Sequence, residues 1–260
     1  MPQINKPSQD AGWPTLDQLA ERVIEAARAE GLTIRVIGGV AVRLHSPSAE
    51  HRSLRRSYGD LDMVGILKES RRYGPLLESL GFEPNHPFNI LNGSTYLRFD
   101  HGAQAVHLDI FLDKLEMCHS LKLLDRLDID DFTVSLADLL LTKLQIVHLT
   151  EKDIKDIVAL IVDHPVGDAS ESLNSIDTGR IAAVCAADWG WYRTVSDSLE
   201  KCRSWMDRFM GPDHQKTGSE RIKQILYAMN QAPKSMKWKL RAKVGEKVKW
   251  YELPEDPTRD

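Results

Sequence analysis

Tyr58-Gly59-Asp60-Leu61-Asp62-Met63-Val64 is the stretch on which the fold and the chemistry of this chain turn. Asp60 to Leu67 reads as a strand. Residues two apart in a strand point to the same face. Asp60 and Asp62 therefore stand side by side, with Leu61 and Met63 facing the other way. Two like charges this close repel unless a cation neutralises them. Hard carboxylate oxygens held in this way suit Mg²⁺ or Mn²⁺. A solvated acidic strand end is the other outcome, and the low frequency of aspartate inside strands counts against it.

Upstream, Leu32 to Ile37 reads as a strand that Gly38-Gly39 breaks, and Val40 to His45 reads as a short helix. Glycines there permit a sharp turn and let a phosphate approach bare N–H groups. Taken alone, the pair reads first as a tight turn with no ligand, since Gly-Gly is a routine turn signal. Further upstream, Thr15 with Gln18 has the spacing of a capping box, and Leu16, Leu19, Ala20, Val23 and Ala27 form one apolar helix face ending near Gly31.

Downstream, Glu69 to Leu80 reads as a helix closed by Gly81. Phe88–Leu91 and Ser94–Phe99 flank Asn92-Gly93, a pattern that predicts a β-hairpin. Ala105 to Leu112 reads as a strand containing Val106-His107-Leu108-Asp109-Ile110-Phe111. A carboxylate in an apolar strand needs a metal, a cation or a hydrogen-bond network, so Asp109 is a candidate site residue. Asp113 lies past the strand and reads as a surface residue. The layout is α+β: a mixed sheet flanked by helices.

From Ser135 the pattern is helical. Ser135 with Asp138 and Thr150 with Asp153 predict capping boxes opening helices over 136–149 and 151–163, which His164-Pro165-Val166-Gly167 ends. Three or more helices follow. In Leu139-Leu140-Leu141-Thr142-Lys143-Leu144-Gln145-Ile146-Val147, Lys143 shares an apolar helix face. It either snorkels to the surface or points at an anion. In Lys152-Asp153-Ile154-Lys155-Asp156-Ile157, Asp153 serves the cap and Asp156 lies one turn further on, where a solvated helix face is the plain alternative. The division this suggests is a catalytic domain over 1–130 and a helical region over 131–260.

With 260 residues, 42% hydrophobic, 28% charged and a net charge of −4, the composition is that of a soluble globular protein. Residues 1–14 lack a basic segment followed by an apolar one, and no apolar run has the length of a membrane span. Cys118, Cys185 and Cys202 are odd in number and lack metal-ligand spacing. Together these features predict a reduced, cytoplasmic setting with no membrane. Residues 254–260 read as a polar, frayed end.

Taken in order, Gly38-Gly39 after a strand, Asp60 and Asp62 on the next strand, and Asp109 on a later one resemble the polymerase-beta-like nucleotidyltransferase superfamily. Leu-Leu-Leu-Thr-Lys143-Leu-Gln followed by Lys-Asp-Ile-Lys-Asp156-Ile looks more specifically like the AbiEii/AbiGii-type toxin nucleotidyltransferases. The resemblance spans residues 15–163. It implies that Gly38 and Gly39 hold the phosphates of a nucleoside triphosphate. It implies that Asp60, Asp62 and Asp109 hold Mg²⁺ or Mn²⁺. Lys143 and Arg56 would contact the nucleotide, and Asp156 would lie near the active site. Tyr58 departs from the threonine common in that family, which puts contacts at this point in doubt.

Residues 211–250 contain ten Lys or Arg and three Asp or Glu. Lys239, Arg241 and Lys243 lie among further lysines and are interleaved with Trp238 and Trp250. Clustered cations with aromatics suit a nucleic-acid backbone and a stacked base, and a solvated basic surface is the alternative. The toxin relatives imply a tRNA end as acceptor and raise an antitoxin protein as partner. Two rivals stand beside this: an antibiotic-type transferase acting on a small hydroxylated acceptor, and a non-catalytic interaction module on the same fold. His45, His107 and His148 read as packed or hydrogen-bonded rather than as bases.

Overall fold

A computed structural model describes residues 15–102, 106–168 and 174–253. The expectations for residues 1–14 and 254–260, and for Ala105 at the start of the strand it was assigned to, lie outside the described residues. The first half runs α1 (Leu16–Ala29), β1 (Ile34–Val36), α2 (Gly38–His45), β2 (Asp60–Gly65), α3 (Ser70–Ser79), β3 (Glu83–Pro84), α4 (His86–Asn92), β4 (Tyr96–His101) and β5 (Val106–Leu112). A small hairpin, β6 (Lys114–Glu116) and β7 (Ser120–Lys122), follows. The second half holds α5 (Leu136–Leu144), α6 (Glu151–Asp163), β8 (Val166–Gly167), β9 (Ile176–Asp177), α7 (Thr178–Ala187), α8 (Trp189–Trp205), α9 (Pro212–Gln231) and α10 (Met236–Val244).

The main sheet has the order β1-β2-β5-β4-β3. Only the β2–β5 pairing is parallel, so the sheet is mixed, as the sequence predicts. Leu61, Met63, Leu108 and Ile110 are fully buried on one face. The alternate positions Asp60, Asp62, His107 and Asp109 lie on the other. The buried core is continuous from Leu19 in α1 to Met229 in α9. Helix α5 is buried along nearly its whole surface, which explains its apolar composition on every side.

Both α1 and α6 open with reciprocal capping boxes, Thr15 with Gln18 and Thr150 with Asp153. At α5, Ser135 caps the helix by accepting from the Asp138 N–H. The Asp138 carboxylate itself is fully buried and bridges Arg126 and Arg180. Helix α5 ends at Leu144, five residues before the predicted end.

The predicted hairpin at Asn92-Gly93 is absent. Phe88 to Leu91 belongs to α4, capped by Asn85, whose side chain accepts from the Phe88 N–H, with Pro87 in the first turn. That cap and proline outweigh the Asn-Gly signal. Gly93 has φ −63°, a helical value, at the end of α4. Strand β4 instead pairs with β3 and β5. Asp113 also does more than sit on the surface. It adopts φ +63°, and its carboxylate accepts from the Leu67 N–H, turning the chain after β5. No described helix is long and apolar enough to cross a membrane.

Candidate active site

The β2–β5 register sets Asp60 opposite His107 and Asp62 opposite Asp109. Four polar side chains thus share one patch of the sheet. Asp60 is exposed and Asp62 partly buried. Burial pushes the Asp62 carboxyl up to about 6, with Asp109 and Asp60 adding to the rise and Lys143 opposing it. Neither Asp60 nor Asp62 forms an ion pair with a described side chain, and Lys143 and Arg56 offset the charge of Asp62 only from a distance.

The α2 N-terminus closes one side of this patch. Gly38 has φ +69°, and a Cβ there would run into the Asp62 carboxylate. A Cβ on Gly39 would collide with the Arg56 guanidinium and the Tyr58 ring. At Gly38 both the left-handed backbone and the close Asp62 call for glycine, and at Gly39 a side chain would push Arg56 and Tyr58 aside. The sharp turn expected between strand and helix is present at these two residues.

Asp156 lies behind Arg56 and Lys143. Its carboxylate is buried and takes a two-pronged bond from Arg56, 2.7 Å at each oxygen, plus the Lys143 ammonium at 2.9 Å. The solvated helix face considered for Asp156 is therefore ruled out, and Lys143 pairs inward rather than snorkelling. Two cations against one anion leave a net positive charge beside Gly38, Gly39 and Asp62. Tyr58 stacks on the Arg56 guanidinium at 4.0 Å from its ring centroid, which gives this unexpected residue a role in holding that cation.

On the other side of the acid pair opens a cleft of about 450 Å³, lined by Asp60, Asp62, Asn85, Arg98, Asp109 and His107 among others. Its floor is the β4–β5 ladder, where Arg98 faces Asp109 and Asp100 faces His107. Arg98 grips Asp109 with two hydrogen bonds of 2.8 Å. Those bonds push the guanidinium's already high pKa further up. Asp100 takes the His107 ring N–H and the Asn85 amide. The partner that Asp109 needs is thus an arginine of the neighbouring strand. Arg98, Asp100 and Asn85 were not anticipated from the sequence. The alternation Arg98-Phe99-Asp100, with charge on the face opposite the buried Phe99, was the available signal.

Sequence reasoning also placed residues that the structure keeps apart from this site or engages elsewhere. Arg241 on α10 donates to the carbonyls of Gly245 and Val248 and lies over the Trp189 ring. Trp238 donates to the Cys185 carbonyl, and Trp250 to the Thr194 hydroxyl. The aromatics expected to stack bases are therefore engaged within the fold. Lys239 and Lys243 are exposed. His45 bonds Thr133, and His148 packs edge-on against Tyr251.

Divalent-cation binding can be tested against these donors. Among the described residues no three His, Cys, Asp or Glu side chains converge as a ready metal cage. Mg²⁺ is commonly held by one or two carboxylates plus substrate phosphates. Asp60 and Asp62, side by side on the cleft wall and without an ion-pair partner, fit that pattern.

No family model and no curated protein matches the sequence. Two solved structures are similar in shape. One is an antigenic nucleotidyltransferase-like protein from Paracoccidioides brasiliensis, with TM-score 0.45, 15% identity and coverage of 75% of this chain and 91% of that one. The other is the antibiotic-resistance factor ANT(2'')-Ia, with TM-score 0.38, 12% identity and coverage of 55% and 81%. At this level of similarity neither neighbour's activity transfers to the chain.

Proposed function

We propose that the chain is a metal-dependent nucleotidyltransferase that moves a nucleoside monophosphate from an NTP to an acceptor hydroxyl. The observation that carries this reading is the juxtaposition of the Asp60–Asp62 pair, which has no ion-pair partner, with the Gly38–Gly39 turn and the Arg56–Lys143 cations. Asp60 and Asp62 would hold Mg²⁺ or Mn²⁺, with Asp109 as a third donor. A bound divalent ion supplies charge stabilisation to the attacking and leaving oxygens of an in-line displacement. Gly38 and Gly39 bring the α2 backbone against Asp62 and Arg56, so a phosphate held by Arg56 and Lys143 would lie beside the turn. Lys143 and Arg56 balance the negative charge on the leaving pyrophosphate. Asp156 acts through them: it holds both cations in place and touches no substrate. The cleft beyond Asp60 has the volume of a small-ligand site and would receive the acceptor.

For the acceptor, the exposed Lys239 and Lys243 support an RNA end such as that of tRNA. A toxin role and an antitoxin partner belong with that reading. The cleft favours a second reading. Asp60, Asp62, Asp100 and Asp109 outnumber Arg98 and His107 there, and a small, cationic, hydroxylated acceptor suits such a lining better than a phosphate backbone.

The test is incubation with each labelled NTP, Mg²⁺ and either total RNA or small amino-hydroxy acceptors, comparing wild type with Asp60→Ala/Asp62→Ala. Label should move only with the wild type. Transfer by both proteins alike, or by neither to any acceptor, removes the catalytic reading.

A further inference from the structure

Of the three carboxylates that would hold a metal, Asp109 is the one paired with a cation. Arg98 reaches across from β4 and occupies both oxygens of Asp109. Its strand is fixed independently of that bond: Asn89 accepts from the Arg98 N–H and donates to its carbonyl. The far side of the guanidinium rests on Phe88, 4.7 Å from the ring centroid. Asp100 stands two residues along the same strand face and is close enough to act on Arg98 electrostatically. The side chain thus has a second anion within range on its own strand and the open cleft in front of it.

Resting on the transfer function above, we propose that Arg98 is a positioning residue that serves as an internal counter-ion for Asp109. It competes with a divalent cation for that carboxylate and yields it only when it moves to another anion, Asp100 or a phosphate in the cleft. In the metal-free protein the Asp109–Arg98 pair is neutral, so Asp109 is withheld from the ion that Asp60 and Asp62 attract. A cation reaching all three carboxylates must displace a guanidinium held by two charge-assisted bonds. The availability of the third donor is thereby coupled to where Arg98 sits, and metal loading of Asp109 is opposed while the guanidinium stays on it.

Mn²⁺ alone, titrated calorimetrically into the full chain, tests this without any turnover. Arg98→Met keeps the stem on Phe88 and removes the charge. It should bind Mn²⁺ roughly tenfold more tightly than wild type, since a unit charge beside the ion is gone. Adding Asp109→Asn to that variant should return the affinity to the wild-type level. Unchanged or weaker binding in Arg98→Met, or a gain that survives loss of Asp109, overturns the proposal. Should circular dichroism show Arg98→Met to be unfolded, Arg98→Lys, which keeps the charge but not the two-pronged grip, should give a smaller gain with the same dependence on Asp109, and no gain overturns it. Asp60→Asn/Asp62→Asn separates the two levels. If Mn²⁺ binding survives that change, the metal site of the transferase reading fails. If it is lost while Arg98→Met has no effect, only the role of Arg98 fails.

Discussion

Asp156 is a single buried carboxylate serving two cations, and its removal is predicted to be felt twice. Breaking a buried ion pair by deleting one partner leaves uncompensated charge and costs about 3 kcal/mol. Asp156→Asn should lower the denaturant midpoint accordingly and also weaken NTP binding, because Arg56 and Lys143 then repel each other. Normal stability with weakened binding would show that the acid is not a structural tie. Asp62 is predicted to act in the opposite sense. Its carboxyl is raised from 3.8 to about 6 in the folded chain. The folded state therefore holds the proton more tightly than the unfolded one. That contribution to stability is complete below about pH 4 and is lost as pH rises through about 6. Asp62→Asn should flatten this slope and raise the metal-free protein's stability at pH 7, as measured by urea unfolding at the two pH values. An identical pH slope in wild type and variant would overturn it. Asp60, Asp62 and Asp109 were legible in the sequence because aspartate is conspicuous in an apolar strand. Arg98 was not, because a charged residue opposite another is visible only once the strand pairing is known.

At the scale of elements, the β1–α2 turn and α10 show what local pattern can and cannot reveal. Gly38 adopts a left-handed backbone and faces Asp62, so both conformation and space exclude a side chain. Gly38→Ala is predicted to destabilise the fold by about 1–3 kcal/mol and to abolish nucleotide binding, checked by thermal melts with and without NTP. Unaltered melting would mean the turn relaxes freely. On α10, Lys239→Glu with Lys243→Glu should weaken RNA binding at low salt without shifting the melting temperature. Trp238→Ala should do the reverse, because its ring packs on Tyr192 and its N–H is used inside the fold. Loss of RNA binding in Trp238→Ala at full stability would restore the stacking role read from the sequence. Periodicity located the helices well, with capping residues fixing where α1 and α6 begin. It failed at α4, where seven residues offered too short a run to show a helical period, and a turn-forming dipeptide was the louder signal.

Across the whole molecule, one apolar core joins the sheet to the helical half through α5, which packs against α2, α6, α7 and α8. The chain is predicted to unfold in a single transition. Of its six tryptophans, all but Trp13 lie between residues 189 and 250, so their fluorescence reports the helical half. Its midpoint should coincide with that of far-ultraviolet circular dichroism, and two separated midpoints would reveal independent units. The change of pattern from strands to helices near residue 130 suggested a division of the chain, and the core shared by both halves was not legible there, since it depends on contacts distant in sequence. The parallel pairing of β2 with β5 has a consequence in time. Asp62 and Asp109 are separated by two helices and two strands of intervening chain, and their strands can dock only after that excursion is closed. Such non-local pairings form slowly. A nascent chain therefore carries its aspartates as separate, weakly repelling charges, and the acid cluster comes into being only when β2 and β5 pair.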